Sequence, residues 1–211
     1  KPIFVDINPQ TYNISPKKIE EAITPKTRAI MPVDLYGLPA EMDTIRDIAE
    51  RHSLKIIEDA AQAHGATYKG KPPGYFADMT CWSFYASKNI TTGEGGMITT
   101  SNAEWADTLR CVRSHGEKEE YVSSLLGHNY RMPEMEAAIG IVQLQKLPTF
   151  VEKRQKNAKF LTKELGEVER LQLPTEPKGY EHSWYLYTVR LRDGEKSERD
   201  EVVKELRKRG V

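Results

Sequence analysis

The sequence predicts an α/β fold in which a mostly parallel sheet is flanked by helices. Three observations point to it. Strand-like apolar runs alternate with segments of helical periodicity, turn formers separate them, and polar residues able to do chemistry stand where the apolar runs end. Parallel neighbours need a long crossover, usually a helix, and the alternation supplies one between successive strands.

Residues 3–7 read as a short strand. Ser15-Pro16 then reads as a helix start: a capping hydroxyl, followed by a proline whose missing N–H costs nothing at the first helical position. That helix turns Ile19, Ala22 and Ile23 inward. Residues 27–33 are extended and apolar until Tyr36-Gly37-Leu38-Pro39 breaks the run, and Met42, Ile45, Ile48 and Ala49 recur at helical spacing. Residues 54–59, 79–85 and 96–100 are further strands, the last two separated by the glycine turn Gly93-Glu94-Gly95-Gly96. Helices are predicted at 103–115, 133–147 and 149–165, the last two divided by Pro148. Turn formers around Leu173-Pro174-Thr175 mark a boundary, beyond which 183–191 is strand-like and 197–211 is a capped helix with Val202, Val203 and Leu206 inward. The organisation read from this pattern is a large domain over 1–147, a linking helix over 148–172 and a small α+β domain beginning at 173–211.

Composition bounds the function. Of the 211 residues, 31 are Lys or Arg and 31 are Asp or Glu, a formal balance of zero that argues against a nucleic-acid polyanion as the main partner. Hydrophobic residues make up 38% and charged residues 29%, the proportions of a globular chain with a large wet surface. No apolar run reaches the roughly 18–20 residues that span a bilayer, so no membrane partner is expected. Cys81 and Cys111 have neither a CxxC nor a Cys/His ligand spacing, so no disulfide or metal site is expected and a reducing cytoplasm fits best. The chain opens on Lys1 rather than Met and stops just after a helix, so it reads as a piece of a longer protein.

In open α/β sheets ligands collect beyond the carboxyl ends of the strands, and two such places hold suitable residues. In Glu58-Asp59-Ala60-Ala61-Gln62-Ala63-His64-Gly65, Asp59 ends an apolar run, either as the cap of a short helix from Ala60 or as a functional carboxylate. In Trp82-Ser83-Phe84-Tyr85-Ala86-Ser87-Lys88-Asn89, a lysine leaves the end of a strand with hydroxyls nearby, either as a surface lysine or as a Schiff-base amine. No GxGxxG follows the first strand, which disfavours a dinucleotide-binding module.

These two motifs, with Gly127-His-Asn-Tyr-Arg-Met132, Pro32-Val-Asp-Leu-Tyr-Gly37 and the Glu136–Leu144 helix, resemble the DegT/DnrJ/EryC1/StrS family of sugar aminotransferases, a branch of the fold-type I pyridoxal phosphate enzymes. The resemblance covers nearly the whole chain. It implies a large fold-type I domain with part of a small C-terminal domain. It also implies pyridoxal 5′-phosphate as cofactor, with Lys88 as the Schiff-base lysine and Asp59 against the pyridine nitrogen. In the same way Gln62 would contact the ring or its phenolic oxygen, Ser83 the phosphate, and Asn129 the phosphate of the neighbouring subunit of a homodimer. The reaction implied is amino transfer, with glutamate as donor, to a ketone of a nucleotide-activated sugar. A cyclitol or aminoshikimate-type ketone, or a non-catalytic fragment that keeps the fold, stands as the alternative. Relatives that carry histidine in place of the lysine are sugar dehydratases, which Lys88 disfavours here. The family's upstream phosphate-binding turn and ring-stacking aromatic are not identifiable before Lys1. His64, His128, Arg131, His182, Trp184 and Tyr185 stand near these motifs without an assigned role, and Glu94 likewise.

Overall fold

A computed structural model describes residues 1–119 and 121–211. Its centre is a four-stranded sheet built from β1 (Ala29–Ile30), β2 (Lys55–Asp59), β4 (Met79–Ser83) and β5 (Gly96–Thr99), in the order β1-β2-β4-β5. β1, β2 and β4 run parallel, and β5 pairs antiparallel with β4 across the glycine turn. Helix α2 (Met42–Arg51) supplies the crossover from β1 to β2, and α1 (Pro16–Ala22), which precedes β1, packs beside it on the same face, where Ile19, Ile30, Met42, Ile45, Ile48 and Ile56 form the core. The residues singled out for helical spacing over 42–49 are thus the ones that α2 buries. Along β2 exposure alternates, with Ile56 and Glu58 buried in the core and Ile57 and Asp59 half-buried on the other face. A strand of period two therefore sends the neighbouring carboxylates Glu58 and Asp59 in opposite directions.

The remaining elements are smaller. β3 (Thr67–Tyr68) pairs antiparallel with β9 (Tyr180–Glu181), β6 (Glu117–Glu119) with β7 (Val122–Ser123), and β8 (Leu171–Gln172) with β10 (Arg190–Leu191). Helix α3 (Ala103–Val112) is capped by Asn102, whose side-chain oxygen accepts the Trp105 N–H at 3.0 Å. Helix α4 (Glu134–Leu165) spans 32 residues, and α5 (Lys196–Lys208) ends the chain.

Four expectations give way. Residues 3–7 form no strand: only an isolated antiparallel bridge joins Ile7 to Ile14, the Ser15 N–H donates to the Asp6 carbonyl at 3.1 Å, and Val5 rests against the core while Phe4 is exposed, so the segment joins no sheet. The two helices expected on either side of Pro148 are one, because Leu144 and Pro148 both lie on the exposed side, where water can take the carbonyl that proline leaves unpaired. The strand expected over 183–191 is reduced to β10. Trp184 takes a left-handed conformation, φ 51°, which no pleated strand continues. Helix α5 starts at Lys196, so Ser197 lies in its first turn rather than capping it, and it buries none of its residues, Val202, Val203 and Leu206 included.

Instead of a strand, the 183–186 segment lies against the loop after β1, with Ser183 N–H donating to the Gly37 carbonyl at 2.9 Å and Leu186 N–H to the Tyr36 carbonyl at 3.2 Å. Arg154 of α4 holds the segment from behind, donating to the carbonyls of Trp184 and Tyr185 at 3.0 and 3.2 Å. The fit is close at Gly37, which has φ +101° and where a Cβ would stand 2.6 Å from Ser183 Oγ and 2.9 Å from the Tyr185 nitrogen. Gly37→Ala is expected to lower the urea unfolding midpoint by the equivalent of about 1–3 kcal/mol. Gly70→Ala, also at positive φ but with nothing within 4 Å, carries the strain without the clash and is expected to cost less.

Candidate active site

Asp59 stands at the carboxyl end of β2, paired in register with Cys81 of β4, and Ser83 ends β4. The chain after Asp59 forms successive turns closed by Ala63 N–H to the Ala60 carbonyl at 2.9 Å and Ala66 N–H to the Ala63 carbonyl at 3.0 Å, so Asp59 caps no helix. Its Oδ1 accepts the Ala61 N–H at 3.0 Å, an Asx turn that fixes the carboxylate. Oδ2 has no hydrogen-bond partner among the described residues.

Gln62 is held by one bond from the Pro32–Gly37 segment, to which the sequence assigned no contact with the site. The Tyr36 N–H donates to its Oε1 at 2.7 Å. Because a backbone N–H can only donate, this bond fixes which end of the amide is which, and the Nε2 donor points elsewhere with no protein acceptor among the described residues. The Gln62 carbonyl is also held, accepting from Ser183 Oγ at 3.4 Å.

Lys88 lies on the loop closed by Phe84, whose N–H donates to the Gly95 carbonyl at 2.8 Å and whose carbonyl accepts the Thr92 N–H at 3.0 Å. The glycine turn permits that closure: at Gly95, φ +142°, a Cβ would stand 2.6 Å from Thr92 Oγ1. The Lys88 side chain is half-buried, with Nζ 4.8 Å from the centre of the Tyr185 ring. Among the described residues it makes no ion pair. The Tyr185 hydroxyl bonds Ser87 Oγ at 2.9 Å. Beside Lys88, the buried Asn89 amide donates to the carbonyls of His64 and Ser183 at 3.3 and 3.2 Å. The lysine loop, the Asp59–His64 turns and the 183–185 segment are thus tied together by one side chain. Ser83 Oγ accepts the Tyr85 N–H at 3.3 Å, which leaves its own hydrogen free.

Other candidates separate. His64 is buried between Trp82 and Phe84, at 5.3 and 5.7 Å between ring centres, and both of its nitrogens lack partners among the described residues. Burial, and after it the charge of Lys88, push its pKa down from 6.5 to about 4. His182 is consumed by the fold, stacked on Trp184 at 3.9 Å with Nδ1 accepting the Trp184 N–H. Burial lowers its pKa to about 4 as well. His128 and Arg131 are exposed, as is Glu94. Asn129 is anchored through its backbone, in an isolated bridge with Ser114, while its side chain is exposed and makes no hydrogen bond to the Lys88 cluster among the described residues. Cys81 and Cys111 are free thiols, and no metal-holding cluster occurs among the described residues. No helix of the described residues is long and apolar enough to cross a membrane.

Fold and site together define a lysine-centred site at the carboxyl edge of an open α/β sheet. The model of the DegT/DnrJ/EryC1/StrS aminotransferase family matches residues 1–211, and the chain belongs to that family. Its members are pyridoxal phosphate enzymes. The chain is 41% identical to GDP-perosamine synthase of Caulobacter vibrioides, over 100% of this chain and 57% of that protein. It matches the solved structure of Streptomyces venezuelae DesV in complex with a ketimine intermediate at TM-score 0.94 and 37% identity, over 100% of this chain and 56% of that one. It matches Escherichia coli GDP-4-keto-6-deoxy-D-mannose-3-dehydratase, with bound hydrated PLP, at TM-score 0.89 and 32% identity, over 99% of this chain and 58% of that one. The chain therefore spans between half and three-fifths of the length of these relatives.

The two buried histidines predict an acid limb. Each is neutral in the folded chain and takes up a proton on unfolding below its ordinary pKa, so their contribution to stability is full above about pH 6.5 and is lost as pH drops towards about 4. His64→Leu is expected to make that slope shallower in denaturant titrations across this range, leaving the His182 share.

Proposed function

We propose that this chain is the lysine-bearing core of an aminotransferase that moves an amino group, with glutamate as donor, to the keto group of a nucleotide-activated sugar in amino-sugar biosynthesis. One observation carries the reading. Lys88 Nζ, Asp59 Oδ2 and Gln62 Nε2 all lack protein partners among the described residues, yet each sits on backbone tied tightly to the others. The donor set fits pyridoxal phosphate in kind, with an amine for its aldehyde, a carboxylate for its ring nitrogen, an amide N–H for its ring oxygen and the Ser83 hydroxyl for its phosphate. When bound, the cofactor supplies an electron sink for negative charge at the substrate carbon.

The chain's own residues do the rest. Asp59, its Oδ1 already held by the Ala61 N–H, presents Oδ2 in a fixed direction, so a ring N–H there gains a charge-assisted hydrogen bond without reordering the side chain. Gln62 cannot turn its amide without losing the Tyr36 N–H, and so offers only a donor to the site. Lys88 takes a proton from the donor's α-carbon as a general base and delivers it, as a general acid, to the carbon on the other side of the transferred nitrogen, and it makes the same two transfers in reverse for the acceptor. The Tyr185 ring, 4.8 Å from Nζ at its centre, borders the space in which the amine works. A lysine rather than a histidine at this position favours amino transfer over dehydration.

The nucleotide-sugar acceptor rests on the relatives' names, GDP-perosamine synthase first among them. We place Asn129 on a partner subunit's phosphate and read the assembly as a homodimer. The side chain is exposed on an anchored backbone, and Leu126, Tyr130 and Met135, close to it in sequence, are 85%, 70% and 80% exposed, apolar side chains that a second copy would cover. The free cysteines support a cytoplasmic setting.

Borohydride reduction of the full chain loaded with pyridoxal phosphate is expected to label the peptide that contains Lys88; labelling elsewhere overturns the assignment. Lys88→Ala is expected to lower kcat by roughly 10²–10⁴-fold. Mixing Lys88→Ala with Asn129→Ala subunits should restore part of the activity, and no recovery after proven exchange removes Asn129 from the partner's site.

A further inference from the structure

Two carboxyl groups that this chemistry does not use lie behind the end of β2. Asp34 and Glu58 are 0% and 1% exposed, and no cation pairs with either among the described residues. Asp34 Oδ1 accepts the Ala40 N–H at 2.9 Å, while Oδ2 has no donor. Glu58 Oε2 accepts the Gly74 N–H and, at 3.2 Å, the Thr80 hydroxyl. The group that stands against Asp34 is Glu58 itself, side chain to side chain. Two bare carboxylates in contact inside a core repel each other with nothing to offset them; one proton between them turns the contact into a hydrogen bond and gives Asp34 Oδ2 its missing partner.

The pair is wired to the site through backbone. Asp34 N–H donates to the Asp59 carbonyl at 3.0 Å, and Asp59 N–H to the Pro32 carbonyl at 2.9 Å. Two residues after Asp34, the Tyr36 N–H is the donor that orients Gln62. Glu58 precedes Asp59 on β2. Any displacement of the Asp34 turn therefore moves the main chain of Asp59 and the bond that fixes Gln62 together.

We propose that Asp34 and Glu58 share a single proton and act as a positioning device for Asp59 and Gln62, so that losing this proton loosens the cofactor site. The inference rests on the reading of Asp59 and Gln62 as cofactor contacts. The charges that bear on Asp34 are Glu58 and, more weakly, Asp59, both on β2; the Ala40 N–H opposes them. The groups that meet Glu58 from β4 and from the turn before it, Thr80 and Gly74, are neutral. Burial first, and then the Glu58 charge, hold the Asp34 carboxyl well above the ordinary carboxylate range, and burial raises Glu58 too. The folded chain thus keeps a proton that the unfolded chain releases above about pH 4. Its contribution to stability is full below that pH and is lost as pH rises through the raised value, opposite in sign to the histidine limb.

The test uses the full chain and pyridoxamine phosphate, which cannot condense with Lys88, with binding read by quenching of tryptophan fluorescence. As pH is raised across the range in which the chain stays folded, the wild type is expected to lose about tenfold in affinity, within the usual range for coupled sites. Asp34→Asn keeps the shape and supplies a permanent N–H to Glu58, so it should flatten that loss and rescue the weakening that Asp34→Ala shows at both ends. Glu58→Gln supplies the same hydrogen from the other side and should flatten the profile if Asp34→Asn does not fold. A wild-type profile in the Asn or Gln variant overturns the proposal. Asp59→Asn is the control for the underlying reading: it should weaken binding at every pH, and unchanged binding there sinks that reading rather than the proton pair.

Discussion

The parallel pairing that ends at Asp59 is the constraint on which the site depends. β2 lies between β1 and β4, and its last residues are held from both sides: Asp59 N–H to Pro32, Asp59 carbonyl to Asp34 N–H, and Ala60 N–H to the Cys81 carbonyl at 2.9 Å. A strand clamped in this way cannot twist one side chain without moving both neighbours. Asp59 is rigid for that reason, and the turns that follow inherit its direction. The same clamp fixes which carboxylate faces the site, since the period of two that sends Asp59 outward sends Glu58 into the core.

Around this fixed point the site is assembled by polar contacts between segments far apart in sequence. The Asn89 amide reaches back to His64 and forward to Ser183, and the Tyr36 N–H reaches Gln62 across 26 positions. Such bonds are strong where water is excluded, and Asn89 is buried. They leave the reactive ends of Lys88, Asp59 and Gln62 free while immobilising what carries them, the arrangement expected of a site organised before its ligand arrives. The buried polar groups are therefore not a burden on the fold but the means by which three loops hold one geometry.

Much of this was legible in the residues. Ile45, Ile48 and Ile56 declared the core by spacing alone, because burial of one face imposes its period on the sequence. Asp59, Lys88 and the glycine turn stood out because a polar residue at the end of an apolar run needs a reason. What could not be read were contacts that sequence distance hides. Nothing near Tyr36 announces that its N–H serves Gln62, and nothing near Tyr185 says that its ring covers Lys88. Asp34 and Glu58 did carry a signal, charges inside otherwise apolar runs, but each taken alone reads as a surface residue of a strand end.

The sequence by itself determined the α/β class, the core stripes and the order in which the reactive residues leave the strands, since these follow from local periodicity and turn chemistry. Tertiary structure decided what local rules misjudge. Residues 3–7 had strand propensity but only the Ile7–Ile14 bridge to pair through, Pro148 failed to break α4 because its freed carbonyl lies on the wet side, and the 183–191 run bent at Trp184 to seal the loop after β1. Only the fold brought Asp34 against Glu58, because a carboxyl group's protonation depends on which charge stands beside it and not on its place in the chain.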